Sequence, residues 1–183
     1  MNDKSVGLLE LTSVAAGYMV ADTVLKAGNV RLMLSRSICS GKYMVLLAGE
    51  TASVQAAVEA GVAAANGCLI DHFVIPNIHP DVITAIGRTQ VTPPEGALGI
   101  LESFNVTSLI LAADHVVKTA DVQLLEVRLA MALGGKAFLT MTGTISSVQA
   151  AVAAGRALIA ESGTLVNAVV ISRPHPDIYR EIV

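Results

Sequence analysis

The sequence predicts an α/β fold, an α+β sandwich made of two tandem β-α-β-β-α-β domains, each an antiparallel sheet with helices on one face. Three observations lead there. The chain repeats itself once, each copy runs through the same succession of apolar patterns, and the central strands of each copy are hairpin-linked.

The repeat is read directly from the residues. Gly7-Leu8-Leu9-Glu10 recurs as Gly99-Ile100-Leu101-Glu102, an offset of 92 that also pairs Asp22 with Asp114, Lys26 with Lys118 and Arg36 with Arg128. Beyond position 40 the offset becomes 94, pairing Gly41-Lys42 with Gly135-Lys136 and Ser53-Val54-Gln55-Ala56-Ala57-Val58 with an identical run from Ser147 to Val152. Near the end it is 96, matching His79-Pro80-Asp81 with His175-Pro176-Asp177. Between the copies, Gly87 to Gly96 carries Pro93-Pro94 and flanking glycines and reads as a linker. The domains are placed at 1–91 and 92–183.

Within the first copy, a strand is expected from Val6 to Leu11 and a helix from Ala15 to Ala27, where Met19, Val20, Val24 and Ala27 form an apolar stripe. A second strand alternates Val30, Leu32 and Leu34 with Arg31, Met33 and Ser35. A loop from Arg36 to Lys42 leads to a third strand, Tyr43 to Ala48. The second helix has the clearest periodicity: Val54, Ala57, Val58, Gly61, Val62 and Ala65 hold i, i+3, i+4 spacing, and its small residues allow close approach to a sheet. A fourth strand, Leu69 to Ile75, precedes a short helix that starts at Pro80-Asp81.

Composition narrows the function. Of 183 residues, 53% are hydrophobic and 15% charged, and the mean hydropathy is +0.63. Asp22, Glu59, Asp71 and Arg156 interrupt the apolar stretches, so no membrane-spanning helix is expected. An apolar chain without a span is expected to bury surface against further copies of itself. A net charge of -3, 3% aromatic residues and no Trp disfavour nucleic-acid binding. Met1-Asn2-Asp3-Lys4-Ser5 lacks a signal-peptide profile, and two cysteines in unrelated contexts make no disulfide framework, so a cytoplasmic protein with thiols is expected.

No enzyme is indicated, because no nucleophile elbow, phosphate loop or HExxH helix is present. Glu10 and Glu102 occupy one repeat position and read as structural carboxylates. His79 and His175 precede Pro-Asp helix starts, have no cluster at metal-ligand spacing and read as loop or interface residues. His72, in a strand, and His115, on a helix, call for no ligand. Cys68 reads as a small buried hydrophobe.

Cys39 differs. It sits in the turn Arg36-Ser37-Ile38-Cys39-Ser40-Gly41-Lys42, flanked by two cations that favour a thiolate. The second copy has Ala130-Met131-Ala132-Leu133-Gly134-Gly135 there, two residues longer and without cysteine. One thiolate per chain is too few for an iron–sulfur cluster. If chains assemble about a threefold axis with this loop at the centre, three Cys39 thiolates converge.

The Gly-Leu-Leu-Glu frame, Lys26-Ala27-Gly28-Asn29-Val30, the Ile-x-Ser-Gly loop, Ser-Val-Gln-Ala-Ala-Val and Arg173-Pro174-His175 together resemble bacterial microcompartment shell proteins. Two fused copies are similar to the tandem-domain class, which implies a flat, pseudohexameric homotrimer tiling with hexameric shell proteins around encapsulated enzymes. Within the class, the Ile38-Cys39-x-Gly41-Lys42 loop, Pro76-Asn77-Ile78-His79 and Gly134-Gly135-Lys136 resemble the propanediol-utilisation group. That resemblance implies a central pore lined by Ser37, Ile38, Ser40 and Gly41. It further implies one [4Fe-4S] cluster per trimer, its metal ligand Cys39 from three subunits, for electron relay or cluster exchange and with an encapsulated redox enzyme as a partner. Ser40 stands where that group carries proline. Lys26, Lys118 and Arg173 match tile-edge residues, whereas the first copy has Asn77-Ile78-His79 and lacks the edge arginine. Two other readings stay open: a plain shell tile with a metabolite pore, and a trimeric binding module of sandwich type.

Overall fold

The computed structural model describes residues 4–86, 96–130 and 134–182. The N-terminal tripeptide, residues 87–95, Met131-Ala132-Leu133 and Val183 lie outside the described residues. Most of the expected linker, with the boundary placed between 91 and 92, falls among them. The chain forms two compact units, Met1–Ile78 and His79–Val183.

In the first unit, β1 (Ser5–Leu11), α1 (Val14–Ala27), β2 (Val30–Ile38), β3 (Lys42–Gly49), α2 (Thr51–Ala64) and β4 (Leu69–Pro76) follow in chain order. The sheet runs β2-β3-β1-β4, and every neighbouring pair is antiparallel. Period-two patterning turns Leu9, Leu11, Tyr43, Val45 and Leu47 toward one side, where they form one core with Val20 and Val24 of α1 and Val54, Ala57 and Val58 of α2. Small residues set the distance between helix and sheet. A methyl group at Gly61 would lie 2.9 Å from Leu9 Cδ2 and 2.7 Å from Val24 Cγ1. Ser13 caps α1 by accepting the Ala16 N–H at 3.3 Å.

The second unit begins with α3 (Pro80–Ala85), followed by β5 (Ala97–Ser103), α4 (Val106–Thr119), β6 (Gln123–Leu129), β7 (Ala137–Gly143), α5 (Ile145–Glu161), β8 (Leu165–Ile171) and α6 (Pro176–Ile182). Its sheet, β6-β7-β5-β8, repeats the first. The predicted fold class is therefore observed twice. The helix that follows β4 in sequence packs in the second unit, against β6 and α4.

Two local expectations are corrected. The turn expected over Arg36 to Lys42 is tighter, because β2 continues to Ile38 and β3 starts at Lys42. The alternation expected along β2 also breaks: Leu32 faces Leu47 but Leu34 faces Leu46, so Met33 is an extra residue and Leu32 and Leu34 lie on opposite faces. The same bulge recurs in β6, where Leu124 faces Met141 and Glu126 faces Thr140. By repeating it, both copies bring equivalent positions to the end of the hairpin.

Candidate functional site

The β2–β3 hairpin closes through the pairs Ser37–Tyr43 and Ile38–Lys42, leaving Cys39–Gly41 as a single 3-10 turn. Gly41 takes φ +74°, a left-handed conformation that costs glycine little and other residues more. Ile38 is buried and anchors the turn, Ser37 is exposed, and Cys39 is half-buried at the apex. Both Cys39 and Cys68 are thiols rather than disulfides.

An ion pair holds the base of the turn. Lys42 Nζ donates to Glu10 Oε1 at 2.8 Å, and the Glu10 side chain is 8% exposed. Lys136 and Glu102 make the equivalent pair at 2.6 Å with a more open carboxylate, 29% exposed. The two glutamates read as structural in the sequence each hold the lysine that starts β3 or precedes β7. Lys42 is thus engaged by a carboxylate and is not a lone cation beside the thiol.

Arg36 is in the opposite situation. It pairs across the sheet with Met44, which pairs in turn with Glu10. Its Nε is buried with no hydrogen-bond partner among the described residues. Burial pushes its guanidinium below the ordinary arginine range. The repeat explains the difference: Arg128, its counterpart, donates through Nε to Glu126 at 2.7 Å and stacks over Phe138, 5.3 Å from the ring centre. The first copy has Leu34 in place of Glu126 and Met44 in place of Phe138. The copy that carries the cysteine therefore also carries an arginine relieved of that carboxylate.

Below the turn, the copies differ by a three-residue exchange that the sequence reading missed. Tyr43 lies against Gly17, where a methyl group would come within 2.2 Å of the ring, and its hydroxyl meets Ser35 Oγ at 2.9 Å. The equivalent positions hold Ala137, Leu109 and Val127, all buried. The larger side chain has moved from strand to helix, and the hydroxyl's partner has become apolar. Comparing the copies column by column at the offset of 92, and 94 past the turn, would have exposed both this exchange and the loss of the Arg36 partner.

The remaining predicted residues do not gather at the turn. Lys26 Nζ pairs with Asp22 Oδ2 at 2.6 Å on the exposed face of α1. Lys118 Nζ pairs with Asp114 Oδ2 at 2.5 Å, and Asp114 Oδ1 also accepts the His79 backbone N–H at 2.8 Å. Arg173 is exposed in the bend after β8. His79 Nδ1 caps α3 by accepting the Asp81 N–H at 3.3 Å, and His175 Nδ1 accepts the Asp177 N–H at 3.3 Å. His72 and His115 are exposed. Cys68 is packed at the margin of the core, and its carbonyl accepts the Thr12 N–H at 2.8 Å. Among the described residues of one chain, no three His, Cys, Asp or Glu side chains form a metal-ligand group.

This arrangement has known relatives. The family described as BMC domain matches residues 5–78 and 97–174. The chain is also 39% identical to the bacterial microcompartment shell protein PduT of Citrobacter freundii, over 98% of both chains. The chain belongs to the bacterial microcompartment (BMC) shell-protein family. The two BMC matches place it in the tandem-domain class expected from the repeat. The crystal structure of a microcompartment protein from Desulfitobacterium hafniense superposes with a TM-score of 0.93, at 47% identity, covering 96% of this chain and 98% of that one. The shell protein PduA of Citrobacter freundii is 36% identical over 84 residues, 45% of this chain and 90% of PduA. No described helix of this BMC protein is long and apolar enough to cross a membrane.

Proposed function

We propose that this shell protein forms a flat homotrimeric tile whose central pore carries one [4Fe-4S] cluster, held by Cys39 from each of three subunits. The observation that carries the reading is the asymmetry between its copies. Cys39 stands at a turn apex in one copy only, so a chain offers one thiolate there and a threefold assembly offers three. The donor set fits the group. Its thiol is half-buried on a turn braced by the Glu10–Lys42 pair. Arg36 precedes that thiol on β2, with its buried Nε unpartnered among the described residues. A partly buried cation favours an anionic neighbour, and a thiolate-bound cluster is one.

When bound, such a cluster supplies one-electron transfer, and its potential follows from hydrogen bonding and exposure at the site. Cys39 is the ligand, Ser37, Ile38, Ser40 and Gly41 form the surrounding turn, and the tile passes electrons or the cluster itself across the shell to an encapsulated redox enzyme. Lys26, Lys118 and Arg173 lie on surfaces where the tile meets neighbouring hexameric shell proteins. The likeness of one half of the chain to PduA supports shared tiling.

Protein purified without oxygen is expected to be brown and to contain iron and acid-labile sulfide. Cys39→Ser is expected to lose both while keeping its assembly state. An assembled Cys39→Ser protein with undiminished iron would refute the ligand assignment. Colourless, iron-free wild-type protein would favour a plain tile with a metabolite pore.

A further inference from the structure

The two copies treat their short terminal helices differently. In α3, Val82 and Ala85 are fully buried, and the helix packs against β6 and α4. Its start is tied down by the His79 N–H to Asp114 Oδ1 bond, and its end by a parallel bridge between Ile86 and Val127 on the outer edge of β6. The repeat offset of 96 makes α6 its counterpart, with His175 for His79, Ile178 for Val82 and Ile182 for Ile86. Yet Ile178 is 46% exposed, and α6 packs to no comparable extent on any element among the described residues. A hydrogen bond from Tyr179 OH to Gly96 O at 2.9 Å ties it to its own unit.

The receiving surface shows the complementary difference. Ile110, Asp114 and Lys118 follow one another at i, i+4 spacing on the face of α4 that accepts His79. Their counterparts on α1 are Tyr18, Asp22 and Lys26. Tyr18 is 67% exposed where Ile110 is fully buried, and Val14 is 38% exposed where Val106 is 3% exposed. β2 is an edge strand, as β6 is, and an open edge invites pairing. Among the described residues, the chain thus has a seated tail on one α/β edge, an unseated copy of that tail, and a second edge of the same design that no tail covers.

We propose that α6 of one copy seats on the α1/β2 edge of the next, as α3 seats on α4 and β6. The His175 backbone N–H then bonds Asp22, Ile178 fills the site equivalent to that of Val82, and the backbone at Ile182 runs beside Ser35. This rests on the trimeric reading above and deepens it by naming the element that joins successive copies. The contact is heterologous, passing head to tail from chain to chain, and such contacts close into rings when the rotation permits. It does not depend on Cys39 or on any cluster.

The test uses the full chain. Ser35→Cys and Ile182→Cys are placed in separate, differently tagged copies and co-expressed, with each variant alone as the control. The expected product is a disulfide-linked pair containing one chain of each type, absent from both controls. Ile178→Asp is expected to shift the sedimenting mass from the assembly to the single chain, with the circular dichroism spectrum unchanged. An assembled protein that gives no mixed pair, or an Ile178→Asp protein that keeps its assembled mass, would overturn the docking while leaving the trimer intact. A single-chain mass for the unmodified protein would overturn the docking and the trimer together.

Discussion

Tyr43→Ala is expected to destabilise the first unit by about 3–5 kcal/mol, the usual cost of removing a buried aromatic ring. Gly17→Leu alone is expected to be comparably harmful, because even its Cβ would come within 2.2 Å of Tyr43. Together they should do less damage than their sum. The second unit already uses Leu109 and Ala137 at these positions, and both are buried. Adding Ser35→Val completes the exchange, since the tyrosine hydroxyl that bonds Ser35 is then gone. Denaturant unfolding of the four proteins in the Gly17/Tyr43 cycle should give a favourable coupling of about 1–3 kcal/mol. Additive losses would mean that the two copies pack the hairpin base by unrelated means.

The second large effect concerns the ion pair under the turn. Lys42→Met leaves the Glu10 carboxylate, 8% exposed, without its ammonium partner. Lys42 is 38% exposed, so the cost is that of stranding one buried carboxylate, about 2–3 kcal/mol. Lys136→Met strands a carboxylate that is 29% exposed, which water can solvate. A loss of about 1 kcal/mol is expected there. Glu10→Gln added to Lys42→Met should recover much of the first loss. Unfolding midpoints of the two lysine variants check the ordering, and equal losses would contradict it.

Much of the architecture was readable because the repeat supplies its own control. Period-two strands, the α2 stripe from Val54 to Ala65 and the Pro80-Asp81 helix start all lie in local residue patterns, and each appears twice. What escaped depends on partners distant in sequence. The extra residue Met33 in β2 shows itself only when Leu34 is found opposite Leu46. The burial of Arg36 Nε follows from strand pairing, and its missing carboxylate from Leu34 standing where the second copy has Glu126. The packing of α3 on β6 and α4 rests on tertiary contacts that no local pattern announces. At the site, the cysteine and its turn were visible in the sequence, whereas the Glu10–Lys42 brace needed the register of β1 against β3.

Native mass spectrometry of protein prepared without oxygen tests most directly whether three chains share one cluster through a single residue each. The expected ion has the mass of three chains plus one [4Fe-4S] cluster, reduced to three bare chains by Cys39→Ser. A bare trimer from the unmodified protein, or iron carried on a single chain, would contradict the shared site.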